Sequence, residues 1–219
     1  MKLNDVLKEK PTKINGKLTD FKLSLSQPGK IVAIARHGST DSNGEKVFRG
    51  WQETGQNQLS DKGKKDAEKM GEKIKQLIGS ENPNHFVIVT SDLNRARDSA
   101  EIASEISGVP LGKEYKTLRS QDTGDYSGKK EADVKQKIQE AIKGNPNKPL
   151  PGASESHNQF LNRVETAFDS EGQIAKDYPG KKIIVITHHQ VEVEQANDFN
   201  SATDAMFADG MEPGEVRPA

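Results

Sequence analysis

The sequence predicts an α/β protein, arranged as a three-layer α/β/α sandwich with a mainly parallel central sheet. Short apolar runs without polar alternation recur along the chain, which is typical of strands covered on both faces. Between these runs, apolar residues are spaced three and four apart, as on the buried face of an amphipathic helix. Strands that alternate with helices favour a parallel sheet with helices packed on both sides.

Three apolar runs predict the buried strands, at residues 31–35, 86–89 and 183–186. Helices are predicted after the N-cap residue Ser60, from residue 93 to residue 106, and across residues 155–176. The segment 121–152 is rich in Gly, Asp, Lys and Pro and is expected to form loops and a weak helix across the site.

Length and composition place the chain among globular proteins with one domain. The 219 residues fit a single domain, expected at 30–219 after a polar, lysine-rich extension at 1–29. The absence of cysteine excludes disulfides, cysteine nucleophiles and thiolate metal sites. A net charge of -1 gives no basic footprint for nucleic acid. Because no apolar run resembles a signal peptide or reaches the ~20 residues of a membrane span, we expect a cytoplasmic protein.

Polar side chains with useful chemistry follow each of the three predicted strands. In strand order these are Arg36-His37-Gly38, then Ser91 with Arg95 and Arg97, and last His188-His189. Ligands of open parallel sheets sit beyond the carboxyl ends of the strands. These side chains are therefore expected to converge on one site.

This set of side chains suits a phosphoryl group. The guanidinium groups of Arg36 and Arg95 would donate paired hydrogen bonds to phosphate oxygens and keep their charge at neutral pH. The imidazole of His37 would have one nitrogen free to attack phosphorus while a backbone acceptor holds the other. A second imidazole, His188, would stabilise charge on the transferring oxygens. Gly38 leaves space for a sharp turn or a close backbone approach.

Several of these residues have ordinary alternatives. One of Arg95 and Arg97 is expected to be a solvated helix residue. No metal site is predicted at His188-His189, because adjacent side chains at a strand end point to opposite faces. Residues expected at the surface are His85 and His157, and those left open between solvation and attraction of further anionic groups are Lys46, Arg49, Lys129 and Lys130.

Four motifs occur in order between residues 30 and 189. They are Arg36-His37-Gly38 with Thr40 and Asn43, then Gly50-Trp51 with Leu59-Ser60-Asp61-Lys62-Gly63, then Ser91-Asp92-Leu93-Asn94-Arg95-Ala96, and Thr187-His188. Together these motifs resemble those of the histidine phosphatase superfamily, also called the phosphoglycerate mutase-like family.

The resemblance implies a role for each matched residue. His37 would be the nucleophile that becomes phosphorylated, in a phosphate pocket formed by Arg36, Arg95 and His188. Asn43 would also contact the phosphate. The reaction would need no metal and no other cofactor.

The chain departs from the family pattern where the proton donor is expected. The family reads Leu-Arg-Glu-x-x-x-Gly-x-x-x-Gly, and this chain matches the leucine, the arginine and both glycines but has Ser120 in place of the glutamate. A serine hydroxyl is far too weak an acid to protonate a leaving group. Asp122, the nearest carboxylate, is either that acid or an ordinary turn aspartate.

The leading hypothesis is a phosphatase that hydrolyses a phosphate monoester through a phosphohistidine on His37. A phosphate-binding protein without efficient catalysis is the alternative that Ser120 raises. A phosphoglycerate mutase is less favoured, because nothing matches the Glu-Arg-His-Tyr-Gly segment of the cofactor-dependent mutases. The expected partner is a phosphorylated small molecule or phosphopeptide, without nucleic acid or membrane, and the oligomeric state is open.

Overall fold

A central β-sheet organises the part of the chain that the structure describes. The structure is a computed structural model and describes residues 29–53, 57–191 and 211–219. The predicted extension at 1–29 lies outside these residues, apart from Gly29 at its end. The strands are β1 (Lys30–Arg36), β2 (Phe86–Thr90), β3 (Leu111–Glu114), β4 (Lys182–Thr187) and β5 (Val216–Pro218).

Within the described residues, the sheet has five strands in the order β3-β2-β4-β1-β5. The pairs β1–β4, β4–β2 and β2–β3 are parallel, and β5 runs antiparallel along the edge of β1. The three predicted strands are confirmed and are neighbours, with β4 between β1 and β2. Their carboxyl ends, and the motifs that follow them, therefore meet at one edge of the sheet.

Six α-helices lie in the described residues: α1 (Asp41–Gly44), α2 (Asp61–Ile78), α3 (Asn94–Ser107), α4 (Glu131–Gly144), α5 (His157–Phe168) and α6 (Gln173–Asp177). None of these helices is long and apolar enough to cross a bilayer. The predicted start of α2 is confirmed, because the Ser60 hydroxyl accepts the Gly63 N–H at 3.1 Å. Gly108 ends α3 in the left-handed conformation, with φ of 74°.

Two helical predictions were inaccurate in extent. The pattern across 155–176 is two helices, because the backbone turns extended at Asp169 and restarts a helix only after Gly172. The weak helix expected within 121–152 is the 14-residue α4. Its buried residues, Val134, Ile138 and Ile142, are spaced four apart and pack with Leu150, and Phe48 and Tyr126 lie against them. That packing seats α4 beside the loop that carries Phe48.

The core confirms the three-layer arrangement. Alternate residues of β4 point to opposite faces of the sheet. Ile184 and Ile186 pack in one cluster with side chains of α2 and α3, whereas Ile183 and Val185 pack in the other with side chains of α5 and α6. Because both faces of β4 are covered, its sequence is a continuous apolar run instead of an alternating one.

A close backbone contact joins the first two sequence motifs. A Cβ atom on Gly38 would lie 2.2 Å from the carbonyl oxygen of Gly63, and one on Gly63 would lie 1.9 Å from the carbonyl oxygen of Ser39. Neither position has room for a side chain. The glycine of Arg36-His37-Gly38 thus serves the approach of the α2 N-terminus, which fixes the backbone that carries His37.

Candidate active site

A cavity of about 520 Å³ lies at the carboxyl ends of β1, β4 and β2. Its described lining is rich in cationic and imidazole side chains and comes from segments far apart in the chain. The lining residues with ionisable or catalytically relevant side chains are Arg36, His37, Asn43, Lys46, Arg49, Arg95, Ser120, Glu131, Lys135, His188 and His189. Five of the six residues predicted for the site are therefore brought together, and Asp122 is not among the residues that line it.

His37 is held as a neutral imidazole. Its Nδ1 lies 2.7 Å from the carbonyl oxygen of Gly38, which can only accept, so Nδ1 carries the proton and Nε2 keeps its lone pair. Burial, followed by the guanidinium charges of which Arg49 contributes most, holds the pKa of His37 well below its usual range. The imidazole is therefore uncharged at neutral pH, with a lone pair on Nε2, as an attack on phosphorus requires.

His188 faces His37, with 5.2 Å between the two ring centroids. Nε2 of His188 lies 2.9 Å from the Ser91 hydroxyl oxygen, which also accepts the Leu93 N–H at 3.3 Å. Because that oxygen already accepts from Leu93, we assign the Ser91 hydroxyl proton to the contact with Nε2, and the imidazole proton to Nδ1. Nδ1 is buried and has no hydrogen-bond partner among the described residues. Because burial lowers the pKa of His188 well below its usual range, it presents a neutral N–H donor.

Arg95 is almost fully buried and only partly satisfied. Its Nη2 donates to the Gly50 carbonyl at 3.2 Å and to the Ser120 hydroxyl at 3.4 Å, and Nη1 lies 3.9 Å from the Glu53 carboxylate. Nε and Nη1 form no hydrogen bond within the described residues. Burial lowers the pKa of Arg95 to about 10, so the group stays charged at neutral pH. Buried donors without partners are uncommon and mark a place where a ligand completes the network.

Arg36 is positioned by a segment that the sequence did not predict to be structured. Its Nη1 donates to the Met211 carbonyl at 2.6 Å, across a separation of 175 residues. The Arg36 backbone also pairs with this segment, through the Glu215 carbonyl and the Gly214 N–H. The segment 211–215, which leads into β5, therefore fixes both the backbone and the guanidinium of Arg36.

Arg49 is a cavity residue that the sequence left undecided. Its Nη1 donates to the Thr40 hydroxyl at 2.6 Å and to Oδ1 of Asn43 at 3.1 Å. Burial, with added repulsion from Arg95 and Arg36, lowers its pKa well below the usual value. Oδ1 of Asn43 also accepts from Thr40, so the amide NH₂ of Asn43 is the part that remains to donate to an anion.

The loop that carries Ser120 is clamped from both sides. The Ser120 carbonyl accepts from the Trp51 indole at 2.7 Å and from Nη2 of Arg163 at 3.3 Å. Arg163 in turn forms a bidentate pair with Glu155, at 2.9 and 2.5 Å. This clamp holds Ser120 at the cavity wall, where the family pattern has its glutamate. Neither Arg163 nor Glu155 lies in a matched motif, so no sequence signal distinguished them from surface charges.

Asp122 stabilises its own loop. Its Oδ1 accepts the Gly124 N–H at 3.0 Å, and Oδ2 accepts both the N–H and the hydroxyl of Ser154 at 2.8 Å. These are the contacts of a turn aspartate. The role of Asp122 as proton donor stays a prediction.

We expect Asp122→Asn to lower thermal stability without changing the ratio of rates on alkyl and aryl phosphates. Asparagine keeps one acceptor oxygen but loses the charge that strengthens the hydrogen bonds to Gly124 and Ser154. The measurement is a melting temperature together with kcat/KM on both classes of ester. A selective loss of alkyl phosphate turnover would instead identify Asp122 as the proton donor, since poor leaving groups need protonation most.

The prediction that one of Arg95 and Arg97 is solvated is confirmed, whereas the prediction that His188 and His189 point to opposite faces is not. Arg95 is the buried arginine, whereas Arg97 is partly exposed and donates to Asn94 at 2.6 Å. His189 lines the same cavity as His188, because β4 ends at Thr187 and strand alternation no longer applies.

The surface assignment holds for one histidine and fails for the other. His85 is exposed as expected. The prediction that His157 lies at the surface was wrong, because the first turn of α5 packs under the 120–123 loop. There His157 is 2% exposed, with Nδ1 2.9 Å from Oε1 of Gln121. This contact adds a further attachment between α5 and the wall of the cavity.

The chain belongs to the histidine phosphatase superfamily (branch 1), whose family model matches residues 32–192. This confirms the resemblance inferred from the four motifs. Members of the superfamily are histidine-dependent phosphatases and mutases, and phosphorylated small molecules are their typical substrates.

Individual relatives are distant. The chain is 29% identical over 161 residues to a metal-independent phosphoserine phosphatase of Arabidopsis thaliana, in an alignment spanning 72% of this chain and 63% of that protein. It is 27% identical over 164 residues to a 2,3-bisphosphoglycerate-dependent phosphoglycerate mutase of Parvibaculum lavamentivorans, spanning 72% and 74%. A mycobacterial glucosyl-3-phosphoglycerate phosphatase solved with VO3 has the same fold, with a TM-score of 0.61, 22% identity and coverage of 84% and 88%.

Proposed function

We propose that the protein hydrolyses phosphate monoesters through a phosphohistidine intermediate on His37. The observation that carries the proposal is the pair of neutral, buried imidazoles that face each other in a cavity with three guanidinium groups. One imidazole keeps a lone pair on Nε2, and the other keeps an N–H donor on Nδ1. A tetrahedral phosphoryl group needs both of these functions and the positive charge around them.

We propose that Arg36, Arg95 and Asn43 bind the phosphoryl oxygens. Arg49, which the sequence left undecided, is added to this set because it lines the same cavity. Guanidinium groups bind phosphate through paired, charge-assisted hydrogen bonds. Nε and Nη1 of Arg95 form no hydrogen bond among the described residues and can each donate to an anion in the cavity. His188 would donate from Nδ1 to the oxygen on which charge develops during transfer.

The reaction would proceed in two displacements. In the first, the lone pair of His37 Nε2 attacks phosphorus, and the P–O ester bond breaks with its electrons on the leaving oxygen. The Nδ1–H bond to the Gly38 carbonyl stabilises the positive charge on the phosphorylated ring. In the second, water attacks phosphorus, the N–P electrons return to Nε2, and the proton that water releases passes through solvent to the departed oxide.

Protonation of the leaving group is the weak step of this mechanism. Ser120 stands at the cavity wall where the family has a glutamate, and the one carboxylate among the described lining residues is Glu131. Aryl oxides leave without protonation, whereas alkoxides do not. We therefore expect aryl phosphates to be hydrolysed faster than alkyl phosphates.

Trapping the intermediate tests the proposal. The full-length protein is mixed with a radiolabelled aryl phosphate and quenched within milliseconds into alkali, where phosphohistidine survives. The expected result is labelled protein whose label maps to the peptide that contains His37. The absence of both labelled protein and aryl phosphate turnover would contradict the proposed hydrolysis and favour the second candidate function.

That second candidate is a phosphate-binding protein without efficient turnover. Its support is Ser120, together with the engagement of both Asp122 oxygens within a turn. Binding of phosphate without phosphorylation of His37 would identify it. A phosphoglycerate mutase is less favoured despite the mutase relatives, because the segment that marks cofactor-dependent mutases is missing from the sequence.

A further inference from the structure

The charge of the cavity exceeds what one phosphoryl group can neutralise. Among the described lining residues, five are cationic and one is a carboxylate, and the two facing histidines are neutral. The lining residues therefore carry four net positive charges, before the partial offset of Arg95 by Glu53, 3.9 Å away. A phosphate monoester dianion offsets about two of these charges. The excess is local to the cavity, because the whole chain has a net charge of -1.

The cationic groups form two sets within the same cavity. Arg36, Arg49 and Arg95 surround His37, whose pKa is lowered by each of them. Lys46 and Lys135 line the cavity as well, from the loop before Arg49 and from α4. These two lysines are the cationic lining residues that the proposed phosphoryl pocket does not use, and they define a second part of the cavity.

Backbone pairing holds the second part in place. The segment 46–48 pairs with 128–131, so that Glu131 donates its N–H to the Lys46 carbonyl at 2.8 Å and Phe48 donates to the Lys129 carbonyl at 3.0 Å. Phe48 packs against the apolar face of α4, the helix that carries Lys135. Lys46 and Lys135, distant in sequence, are thereby fixed on one wall.

The backbone at Lys46 is also unusual. It has φ of 52°, the one positive φ among the described non-glycine residues. The left-handed region is unfavourable for a lysine, and glycine or asparagine would adopt it more readily. Residues held in such conformations concentrate at ligand sites.

We infer that Lys46 and Lys135 form a subsite for a second anionic group of the substrate, a carboxylate or a second phosphate. This inference rests on the proposed function, because it assigns the other end of the same substrate. Glu131 lies 3.6 Å from Lys135, one helical turn earlier, and orients its ammonium group. The substrate class is thus a phosphomonoester that carries at least one further negative charge.

Non-hydrolysable phosphonates test the subsite by calorimetry without any need for turnover. The three probes are propylphosphonate, phosphonopropionate and propane bisphosphonate, which share a phosphonate and differ at the far end. We expect the full-length protein to bind phosphonopropionate and the bisphosphonate about ten-fold more tightly than propylphosphonate. The comparison of carboxylate with second phosphonate identifies which anion the subsite prefers.

Matched variants locate the effect. Lys46→Asn with Lys135→Gln removes both charges, and asparagine tolerates the left-handed backbone at position 46. This double variant is expected to bind all three probes with the affinity of propylphosphonate. Lys137→Gln, an exposed position on the same helix, is expected to keep the ten-fold preference.

Each outcome of the calorimetry supports or contradicts the proposed subsite. Equal affinities in the unmodified protein, or a preference that survives in the double variant, would overturn the subsite. Failure of all three probes to bind would overturn the phosphoryl pocket and the subsite together. A clear preference without any phosphohistidine would remove the proposed hydrolysis and leave the subsite as part of a binding protein.

Discussion

Replacement of His37 by alanine is expected to lower kcat/KM on an aryl phosphate by about ten-thousand-fold or more and to abolish phosphorylation of the protein. The covalent route depends on the one Nε2 lone pair that the bond to Gly38 leaves free. His188 does not replace it, because its Nε2 is engaged with the Ser91 hydroxyl. The measurements are steady-state kinetics on the aryl ester and the trapped-label experiment.

Two controls separate chemistry from folding in this experiment. His85→Ala makes the same substitution at an exposed position and is expected to leave activity and labelling unchanged. His37→Asn keeps a polar side chain in the buried position and should be as inactive as alanine. Its unfolding midpoint shows whether loss of activity follows from loss of structure. Labelling that persists in His37→Ala would place the nucleophile on another residue.

The parts of the fold that could be predicted are those in which local pattern and burial agree. The strands β1, β2 and β4 are buried on both faces, so their apolar runs stand out from a hydrophilic chain. The same logic misses β3, whose residues are mostly exposed, and β5, a three-residue edge strand. Neither strand has to be apolar, because neither is covered on both sides.

The residues of the site also divide into those that the sequence predicts and those that it does not. Residues that directly follow buried strands were predicted, because a parallel sheet brings strand ends together whatever the loops do. Arg49 was left undecided, because its place depends on how a loop folds back over Thr40 and Asn43. Likewise, the contact of Arg36 with Met211 joins segments that share no pattern. Contacts of this kind depend on tertiary structure and leave no periodic signal.

His157 illustrates why a polar setting in sequence is a poor guide to burial. It follows Ser154, Glu155 and Ser156, which together indicate an exposed helix start. In the fold, this helix start packs beneath the Ser120 loop, and Glu155 joins the clamp on that loop. Glu155, Ser156 and His157 are therefore buried, whereas Ser154 stays exposed. Hydrogen bonds formed by the three buried side chains lower the cost of burying them.

Ser120→Glu is expected to raise kcat/KM on alkyl phosphates by about a hundred-fold, with little change on aryl phosphates. The position is clamped through its carbonyl by Trp51 and Arg163, so a new side chain would extend from a fixed backbone. Ser120 lines the cavity, with its hydroxyl 3.4 Å from Nη2 of Arg95. A carboxyl group there would lie beside the bound ester.

The effect depends on which force controls the pKa of the introduced glutamate. Arg95 would lower that pKa, whereas burial and the charge of a bound phosphoryl group would raise it. Because bound phosphate neutralises the arginine, we expect the carboxyl group to be protonated in the complex and able to donate to the leaving oxygen. The alkyl rate should then decline as the pH rises through this pKa, which a pH profile would record.

Ser120→Gln is the matched control, with similar size and hydrogen bonding but no acidic proton. If glutamine accelerates alkyl phosphate turnover as much as glutamate, the gain comes from positioning and not from proton transfer. If neither variant exceeds the unmodified protein although phosphonate affinity is retained, leaving-group protonation does not limit the reaction. Another group then already supplies the proton, and Ser120 marks a different chemical solution from the one that the family pattern implies.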